Sequence, residues 1–352
     1  MKYNFSAGPA ILPQVVFKEA AQAVLNYQNS GLSLLEMSHR SPEFTQILEE
    51  AVALPLELLG LSSEDYQCLY LSGGASTQFF MTAMNLLSAD YKGYFLDTGT
   101  WSTKAIKEAK LFGSIDVLSS SKDQNYNYIP KAVAIPEGKG YLHYTSNNTI
   151  FGTQYQHTPE SGSLDLVCDM SSDIFSRPLD RKDFGIIYAG AQKNLGPAGT
   201  TLVIIRKDLL AKTNTGLTSM LDYKIHAAKN STFNTPPVFP IYVSLLTMKW
   251  IKAQGGLEAM AVRNQQKAAV IYNEIDRNES FEGVAAKEDR SLMNATFKLK
   301  DEQLESKFLE ACAAANIAGI KGHRSVGGFR ASIYNAMEIS GVEALVQVMQ
   351  QF

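Results

Sequence analysis

The feature that most constrains the fold is an alternation of short apolar segments with longer amphipathic ones. The short segments have the length and composition of β-strands and lie at residues 68–71, 94–96, 115–118, 140–144, 164–168, 186–188 and 201–205. Helical spacing of apolar residues occurs over residues 14–27, 42–59, 77–87 and 103–112. Apolar strands that alternate with helices are typical of a mostly parallel sheet covered by helices. We therefore predict an α/β fold for this part of the chain.

The pattern changes near Gly255 and Gly256. The sequence beyond them predicts a long helix at 257–277, a strand at 292–299, a helix at 302–315, strands near Gly319 and Phe329, and a last helix at 342–350. We predict a large α/β domain over residues 15–254, a smaller α+β C-terminal domain over residues 255–352, and an N-terminal arm, residues 1–14, that joins them.

Composition excludes several classes of function. The 352 residues carry a formal net charge of −3 and no dense run of lysine and arginine, which argues against a nucleic-acid partner. No apolar run approaches the roughly 18 residues of a membrane span, and the N-terminus lacks the apolar core of a signal peptide. Cys68, Cys168 and Cys312 are odd in number and far apart, as expected for free thiols in a reducing compartment. We expect a cytoplasmic protein that binds neither nucleic acid nor membrane.

Lys193 is the first candidate for a chemical role. It follows an apolar strand and several small residues, and a Gly-Pro-Ala-Gly turn at 196–199 begins three positions after it. Small residues allow a bulky ligand to approach the backbone. Partial burial would lower the pKa of the amine and favour the neutral form that a nucleophile requires. Taken alone, the pattern also fits a surface lysine in a hairpin.

Asp169 ends the apolar segment at 164–168. A carboxylate at the carboxyl end of a central strand faces the crevice in which α/β proteins bind ligands. Pyridoxal phosphate needs such a carboxylate beside its ring nitrogen, because the protonated ring can then accept electrons from the substrate. In isolation, Asp169 could equally be the N-cap of a helix.

Two further features fit the same cofactor. The glycine turn before Ala75 and Ser76 exposes backbone N–H groups at the start of a helix, which is a ready site for a phosphate. It is neither a Walker A loop nor a dinucleotide-binding fingerprint. Trp101 follows another strand and glycine turn, where its indole could stack on a cofactor ring or simply anchor the loop.

These segments together resemble the phosphoserine aminotransferases, a class-V family within the fold-type I pyridoxal-phosphate transferases. The resemblance covers essentially the whole chain. It rests on residues 5–10 (FSAGPA), 36–40 (EMSHR), 73–76 (GGAS), 172–178 (SDIFSRP), 189–199 (AGAQKNLGPAG), 233–237 (FNTPP), 322–324 (GHR) and 327–335 (GGFRASIYN).

The resemblance implies a role for each matching residue. Lys193 would carry pyridoxal phosphate and move the substrate's α-proton, and Asp169 would pair with the ring nitrogen. Trp101 would stack on the ring, Thr149 would bond near the ring hydroxyl, and the phosphate would be held by Ala75, Ser76 and Gln192. Asn234 and Thr235 would reach that phosphate from a neighbouring subunit, so the active unit would be a homodimer.

The resemblance also implies the substrates, glutamate and 3-phosphooxypyruvate in serine biosynthesis, with 4-phosphohydroxythreonine of pyridoxine biosynthesis as a further one. Arg330 would bind the α-carboxylate bidentately. The distal acid would meet His39 and Arg40, from the partner subunit, together with His323 and Arg324. Some family members carry an arginine in the glycine turn, where this chain has Ser76.

Three other functions are less consistent with the residues. A cysteine desulfurase needs a reactive cysteine on a loop, whereas Cys312 lies in a helical pattern. A nucleotide-dependent phosphotransferase would use the glycine turn, but the Walker lysine is missing. A cofactor-binding regulator without catalysis would need a DNA-binding extension. A metal site is not expected, because the five histidines and the cysteines show no ligand spacing.

Overall fold

A computed structural model describes residues 2–352. Its helices are α1 (Gln14–Leu25), α2 (Pro42–Leu59), α3 (Gly74–Leu86), α4 (Thr100–Ala109), α5 (Lys207–Lys212), α6 (Tyr223–Ala228), α7 (Val238–Ala253), α8 (Gly256–Arg277), α9 (Glu305–Ala314) and α10 (Ile339–Met349). In the described residues, no helix is both long and apolar enough to cross a membrane.

The strands form one large sheet and several small ones. They are β1 (Tyr3–Asn4), β2 (Tyr66–Leu71), β3 (Lys92–Asp97), β4 (Ile115–Ser120), β5 (Gly140–Thr145), β6 (Asn147–Asn148), β7 (Thr153–Gln154), β8 (Asp165–Asp169), β9 (Phe184–Gly190), β10 (Thr201–Arg206), β11 (Phe281–Gly283), β12 (Asn294–Leu299), β13 (Ile317–Ala318) and β14 (Phe329–Ser332).

The large sheet has the strand order β2-β10-β9-β8-β5-β3-β4. Its strands are parallel except β10, which is antiparallel to both of its neighbours. Buried clusters lie on both faces of this sheet. This confirms the predicted α/β fold with a mostly parallel sheet. Because the parallel strands run in one direction, their carboxyl ends meet at a single edge, where ligands bind in such folds.

The helices that begin at this edge start earlier than the sequence pattern predicted. Helix α3 begins at Gly74 rather than residue 77, because Gly73 enters it with a φ of 101°, which favours glycine. Helix α4 begins at Thr100 rather than residue 103, since the Ser102 hydroxyl accepts hydrogen bonds from the Thr98 and Gly99 N–H groups. Both shifts bring the start of a helix to the carboxyl edge.

Helix α7 was not predicted. It is apolar around most of its circumference, with buried residues such as Ile241, Leu245, Met248 and Ile251, so it lacks a periodic pattern of polar residues. It packs against α2, and apolar residues of α1 and α7 share a further cluster. The helix covers one face of the large sheet and lies between it and the N-terminal segment.

The C-terminal residues form a separate hydrophobic cluster around the sheet β11-β12-β14. Strand β1 pairs in parallel with β13, and Phe5 is fully buried in this cluster, so the N-terminal arm packs with the C-terminal residues. Helix α8 links the two clusters, because Leu257 and Met260 belong to the first and Ile271 to the second. On these grounds we propose the division predicted above, with residues 15–254 and 255–352 as domains and residues 1–14 as the arm.

Candidate active site

A cavity of about 320 Å³ lies at the carboxyl edge of the large sheet. Nine of the predicted site residues line it, namely Ala75, Ser76, Trp101, Thr149, Asp169, Gln192, Lys193, His323 and Arg330. They come from the ends of several strands and from the C-terminal cluster. A cavity of about 400 Å³ beside Lys131 and His157 contains none of the predicted site residues. The chemistry therefore concentrates in the cavity at the sheet edge.

Lys193 lies in the connection between β9 and β10, at residues 191–200. Its Nζ donates a hydrogen bond to Thr149 Oγ1 over 2.9 Å and lies 5.1 Å from the centre of the Trp101 ring. Burial lowers the pKa of Lys193, and Arg330 lowers it further, while the Asp169 carboxylate acts in the opposite direction. The net effect favours the neutral amine, which is the form that can attack an aldehyde.

Asp169 is the last residue of β8 and is almost fully buried. Its Oδ1 accepts hydrogen bonds from the Ser171 backbone N–H (2.9 Å) and the Ser171 hydroxyl (2.6 Å). Burial raises the pKa of Asp169, while Lys193 and the Ser171 hydrogen bonds lower it. Both hydrogen bonds are made by one oxygen, so the other oxygen is free to bind a donor on a ligand in the cavity.

The start of α3 is built to receive an anion. Gly73 has a left-handed backbone, and a Cβ on it would overlap the Thr77 hydroxyl. The N-cap contributes no side-chain hydrogen bond, so the first N–H groups of α3 need a partner. A Cβ on Gly190 would lie 2.8 Å from Gln192 Oε1 and 3.5 Å from the Ala75 nitrogen, which shows how closely the end of β9 approaches this helix start. The lack of a side chain at Gly190 leaves that approach open.

The opposite wall comes from β14 and the loop before it. Arg330 Nη1 makes only a long hydrogen bond of 3.5 Å to the Thr149 carbonyl, and its buried Nε has no hydrogen-bond partner among residues 2–352. No carboxylate of the described chain forms an ion pair with Arg330. Burial lowers the pKa of this guanidinium. Arg330 therefore presents an uncompensated positive charge to the cavity.

Five predicted site residues do not line this cavity. Arg324 is exposed beside His323. Arg40 is exposed and His39 half-buried in the segment before α2, and both Asn234 and Thr235 are exposed before α7. The resemblance assigns the last four to the cavity of a partner subunit, so their roles stay predictions.

Ser171 is a functional candidate that the sequence analysis missed. Besides bonding Asp169, its hydroxyl accepts the Gly190 N–H over 3.1 Å and so ties β8 to the strand that precedes Lys193. A serine two residues after an aspartate at a strand end is the signal that could have revealed it. Other lining residues that were not predicted are Ala7, Gly8, Gly74, Phe79 and Ile150. Apart from the glycine turn, nothing in their local sequence points to a ligand.

The arrangement fits pyridoxal phosphate. The cofactor has an aldehyde, a ring nitrogen, a flat ring and a phosphate. The cavity offers a neutral amine on Lys193, a carboxylate oxygen on Asp169, an indole wall at Trp101 and the start of α3. The buried Trp101 Nε1 also lacks a hydrogen-bond partner in the described part of the chain. The volume of the cavity falls in the range of small-molecule sites, roughly 300–1,000 Å³.

Cys312 does not offer the thiol that a desulfurase would need. It lies in α9, as the helical pattern predicted, and is 1% exposed within the C-terminal cluster. Cys68 and Cys168 are likewise buried. Burial raises the pKa of each of these thiols, which opposes formation of a reactive thiolate.

The fold and the site together define a fold-type I transferase that depends on pyridoxal phosphate. A model of the class-V aminotransferase family matches residues 2–345, and the chain belongs to that family.

Relatives that are 50–56% identical over nearly the full length are phosphoserine aminotransferases. A relative from Flavobacterium psychrophilum is 56% identical over 99% of this chain and 98% of its own length. The solved structure of the enzyme from Bacillus circulans subsp. alkalophilus has a TM-score of 0.96 and 46% identity, covering 100% of this chain and 98% of that one. The phosphoserine aminotransferase of Trichomonas vaginalis, solved with bound pyridoxal phosphate, has a TM-score of 0.93 and 37% identity, covering 99% and 100%.

Proposed function

We propose that this aminotransferase moves an amino group reversibly between glutamate and 3-phosphooxypyruvate, giving 2-oxoglutarate and 3-phosphoserine for serine biosynthesis. The observation that carries the proposal is the placement of the Lys193 amine between Trp101 and Thr149, with an uncompensated Arg330 lining the same cavity. The names of the relatives, which match over nearly the full length, support the choice of substrates.

Pyridoxal phosphate, when bound, supplies an aldehyde for the amino group and a ring that stores electrons released from the α-carbon. Lys193 holds the cofactor through its Nζ. Once released, the same Nζ takes the proton from the α-carbon of the amino acid. Its lowered pKa suits this task, because a neutral amine is needed for both roles. Thr149, which accepts the Nζ hydrogen bond, orients the amine.

Asp169 acts by its charge. Its carboxylate would hold a proton on the ring nitrogen of the bound cofactor, and the Ser171 hydrogen bonds lower the pKa of Asp169 against the effect of burial. A charge-assisted hydrogen bond of this kind contributes roughly 1.5–3 kcal/mol. Trp101 supports the ring face. The phosphate is held by the N–H groups at the start of α3, the Ser76 hydroxyl and Gln192.

Substrate recognition falls to the wall that β14 and the loop before it form, which carries His323, Arg324 and Arg330. We call it the cationic wall. Arg330 binds the α-carboxylate through its planar fork of donors. His323 and Arg324 meet the distal acid, which is a phosphate in one substrate and a carboxylate in the other. One cluster of cations thus serves two dissimilar diacids. 4-Phosphohydroxythreonine, with the same phosphate, stays a prediction as a further substrate.

We propose a homodimer in which His39, Arg40, Asn234 and Thr235 complete the cavity of the partner subunit. None of these residues lines the cavity of its own chain. Leu32 and Leu35, close to His39, are 53% and 64% exposed, and such apolar side chains suit an interface. We also propose a cytoplasmic location, which is consistent with the three free cysteines.

A half-reaction titration tests the proposal. Purified holoenzyme is mixed with phosphoserine, glutamate, alanine or aspartate as the only amino donor, and the visible spectrum of the cofactor is followed. Phosphoserine and glutamate should each convert the spectrum, and alanine and aspartate should do so at least about 100-fold less efficiently. Conversion by alanine or aspartate but not by phosphoserine would contradict the assignment.

A further inference from the structure

Lys104 is a cation close to the cavity that no role above uses. It is the fifth residue of α4, and helical side chains lean towards the N-terminus of their helix. Lys104 therefore extends back over Trp101, three residues earlier, and its Nζ lies 4.7 Å from the centre of that ring. Trp101 lines the cavity and Lys104 does not, so the ammonium group of Lys104 lies next to a residue of the cavity wall and outside the cavity itself.

The position of Lys104 is fixed relative to Lys193 by the same ring. Each Nζ lies within about 5 Å of the centre of the Trp101 indole, so the two amines are less than about 10 Å apart. Lys193 acts at the α-carbon of the substrate. A cation at this separation can act on the far end of a short diacid held at that point.

Lys104 forms no ion pair with a carboxylate of residues 2–352. None of the ion pairs between described residues includes it, although other lysines near the large sheet pair with acids, as Lys92 does with Asp116. A cation in the N-terminal half of a helix is also disfavoured by the helix dipole. Contact with an aromatic ring offsets only a small part of such a charge. Lys104 is exposed, so water solvates its ammonium group, and no acidic side chain holds it away from an anion in the cavity.

The charge of Lys104 reaches the cationic wall. Burial lowers the pKa of His323, and Arg330, Arg324 and Lys104 each lower it further. The loop before β14, β14 itself and α4 thus bring four positive or protonatable side chains together around His323. No acidic group contributes to the pKa of His323. Helix α3, which begins beside the same cavity, contains no basic residue. Among the helices that begin at this cavity, only α4 therefore adds a positive charge.

We propose that Lys104 is a specificity-determining residue, whose ammonium group binds the distal phosphate of a phosphorylated amino acid and favours it over a distal carboxylate. The inference rests on the proposed function and deepens it. A phosphate monoester carries close to two negative charges at neutral pH and a carboxylate carries one, so an added cation stabilises the phosphate more. The enzyme must accept both diacids, and Lys104 would raise its affinity for the phosphorylated one relative to the dicarboxylate.

The test compares three variants as holoenzymes. Lys104→Gln removes the charge, Lys104→Arg keeps it, and Lys110→Gln removes a charge of the same sign from the end of α4. KM and kcat are measured for phosphoserine and for glutamate at two ionic strengths. For Lys104→Gln we expect KM for phosphoserine to rise about 10-fold and KM for glutamate by less than about 3-fold, with kcat unchanged. Lys104→Arg should restore KM to within about 3-fold, and Lys110→Gln should match the wild type.

The outcomes separate the two proposals. An equal rise in KM for both donors, or a changed cofactor spectrum, would overturn the role of Lys104, because the residue would then act through Trp101. An unchanged KM for phosphoserine would overturn it as well. If the wild-type enzyme reacts with glutamate but not with phosphoserine, the proposed function itself fails, and this is seen before any variant is compared.

Discussion

The two walls of the cavity differ in how their polar groups are held. On the wall from the large sheet, Thr149 and Asp169 are 2% and 4% exposed, and each functional group has a short hydrogen bond to a neighbour. On the wall from β14 and its preceding loop, the described residues offer no hydrogen-bond partner to Arg330 Nε, and the His323 ring bonds only to Ser325 of its own loop. The Thr149 and Asp169 side chains are thus held in place by their neighbours, whereas the Arg330 guanidinium and the His323 ring are held less firmly by the fold.

The difference matches the molecules that each wall must bind. A cofactor is a single molecule that stays, so its groups can be fixed in advance by hydrogen bonds such as those of Ser171. The substrates alternate between two diacids. Uncompensated cations, which need anions from outside, suit such exchange. The contrast therefore predicts that changes on the sheet wall act on the cofactor and changes on the other wall act on the substrates.

The largest effect is expected for Lys193→Ala. Loss of the amine removes both the covalent link to the cofactor and the base that moves the α-proton, so the visible absorption of the bound cofactor and the turnover should both disappear. Absorption spectroscopy and an assay of 2-oxoglutarate release check this. Lys139→Ala, a matched change at an exposed lysine, should behave as the wild type. Persistent turnover in the Lys193 variant would show that the Lys193 amine is not the catalytic base on the sheet wall.

Arg330→Met should impair substrate binding by the cationic wall and leave the sheet wall unchanged. Loss of a charge-assisted pair costs roughly 1.5–3 kcal/mol, so kcat/KM for both amino donors should fall about 10- to 100-fold. The cofactor should remain bound with an unchanged spectrum, as equilibrium dialysis against cofactor-free buffer would show. Arg330→Lys should recover only part of the loss, since a lysine lacks the bidentate fork. Simultaneous loss of the cofactor would show that the two walls are not separate in function.

The sheet wall was largely predictable from the sequence for a physical reason. A parallel sheet places all strand ends at one edge, so residues directly after apolar strands are brought together wherever they lie in the chain. Asp169, Lys193 and the glycine turn were found in this way. The same logic explains why the apolar, unperiodic α7 was missed, because a helix that is buried on most faces has no polar stripe to reveal it.

The cationic wall could not be derived from local patterns. Arg330 and Thr149 are 181 positions apart in the sequence, and only the tertiary fold brings β14 to the segment after β6. The resemblance supplied these residues, whereas periodicity did not. Neither the resemblance nor periodicity pointed to Lys104. The residue is a candidate because its ammonium group lies over the Trp101 ring without an acidic partner among the described residues, and only a folded structure can show this.

Ser171→Ala should give a smaller change, confined to the sheet wall. The hydroxyl hydrogen bond lowers the pKa of Asp169, so its loss raises that pKa and protonates the carboxylate at a higher pH. The acidic limb of the kcat profile should therefore move to higher pH, and kcat at neutral pH should fall several-fold, in line with about 1 kcal/mol for one hydrogen bond. Ser171→Thr keeps the hydroxyl and serves as the control. A shift to lower pH would contradict the role given to this hydrogen bond.

Lys267→Met should have the smallest effect on catalysis and should act on stability, although Lys267 bonds the chain directly after β14. Lys267 of α8 is fully buried, and its Nζ donates to the carbonyls of Ile333 (2.9 Å) and Tyr334 (2.6 Å), directly after β14. A neutral amine has two N–H groups, one for each carbonyl. Burial lowers the pKa of Lys267 well below its ordinary value. Methionine cannot donate, so the variant should lose about 1–3 kcal/mol of unfolding free energy at pH 9.

The pH dependence of that loss distinguishes the neutral amine from a charged one. Between the lowered pKa of the folded state and the unfolded value of about 10.4, the unfolded chain binds one more proton than the folded chain. Wild-type stability should therefore rise with pH by up to about 1.4 kcal/mol per unit relative to Lys267→Met, and the difference between them should shrink as the pH falls from 9 to 7. Denaturant unfolding at several pH values measures this, with the exposed Lys300→Met as the control. A constant difference would mean that Lys267 is charged in the fold. KM for both donors should change less than about 3-fold, because β12 pairs with β14 at Arg330 independently of Lys267.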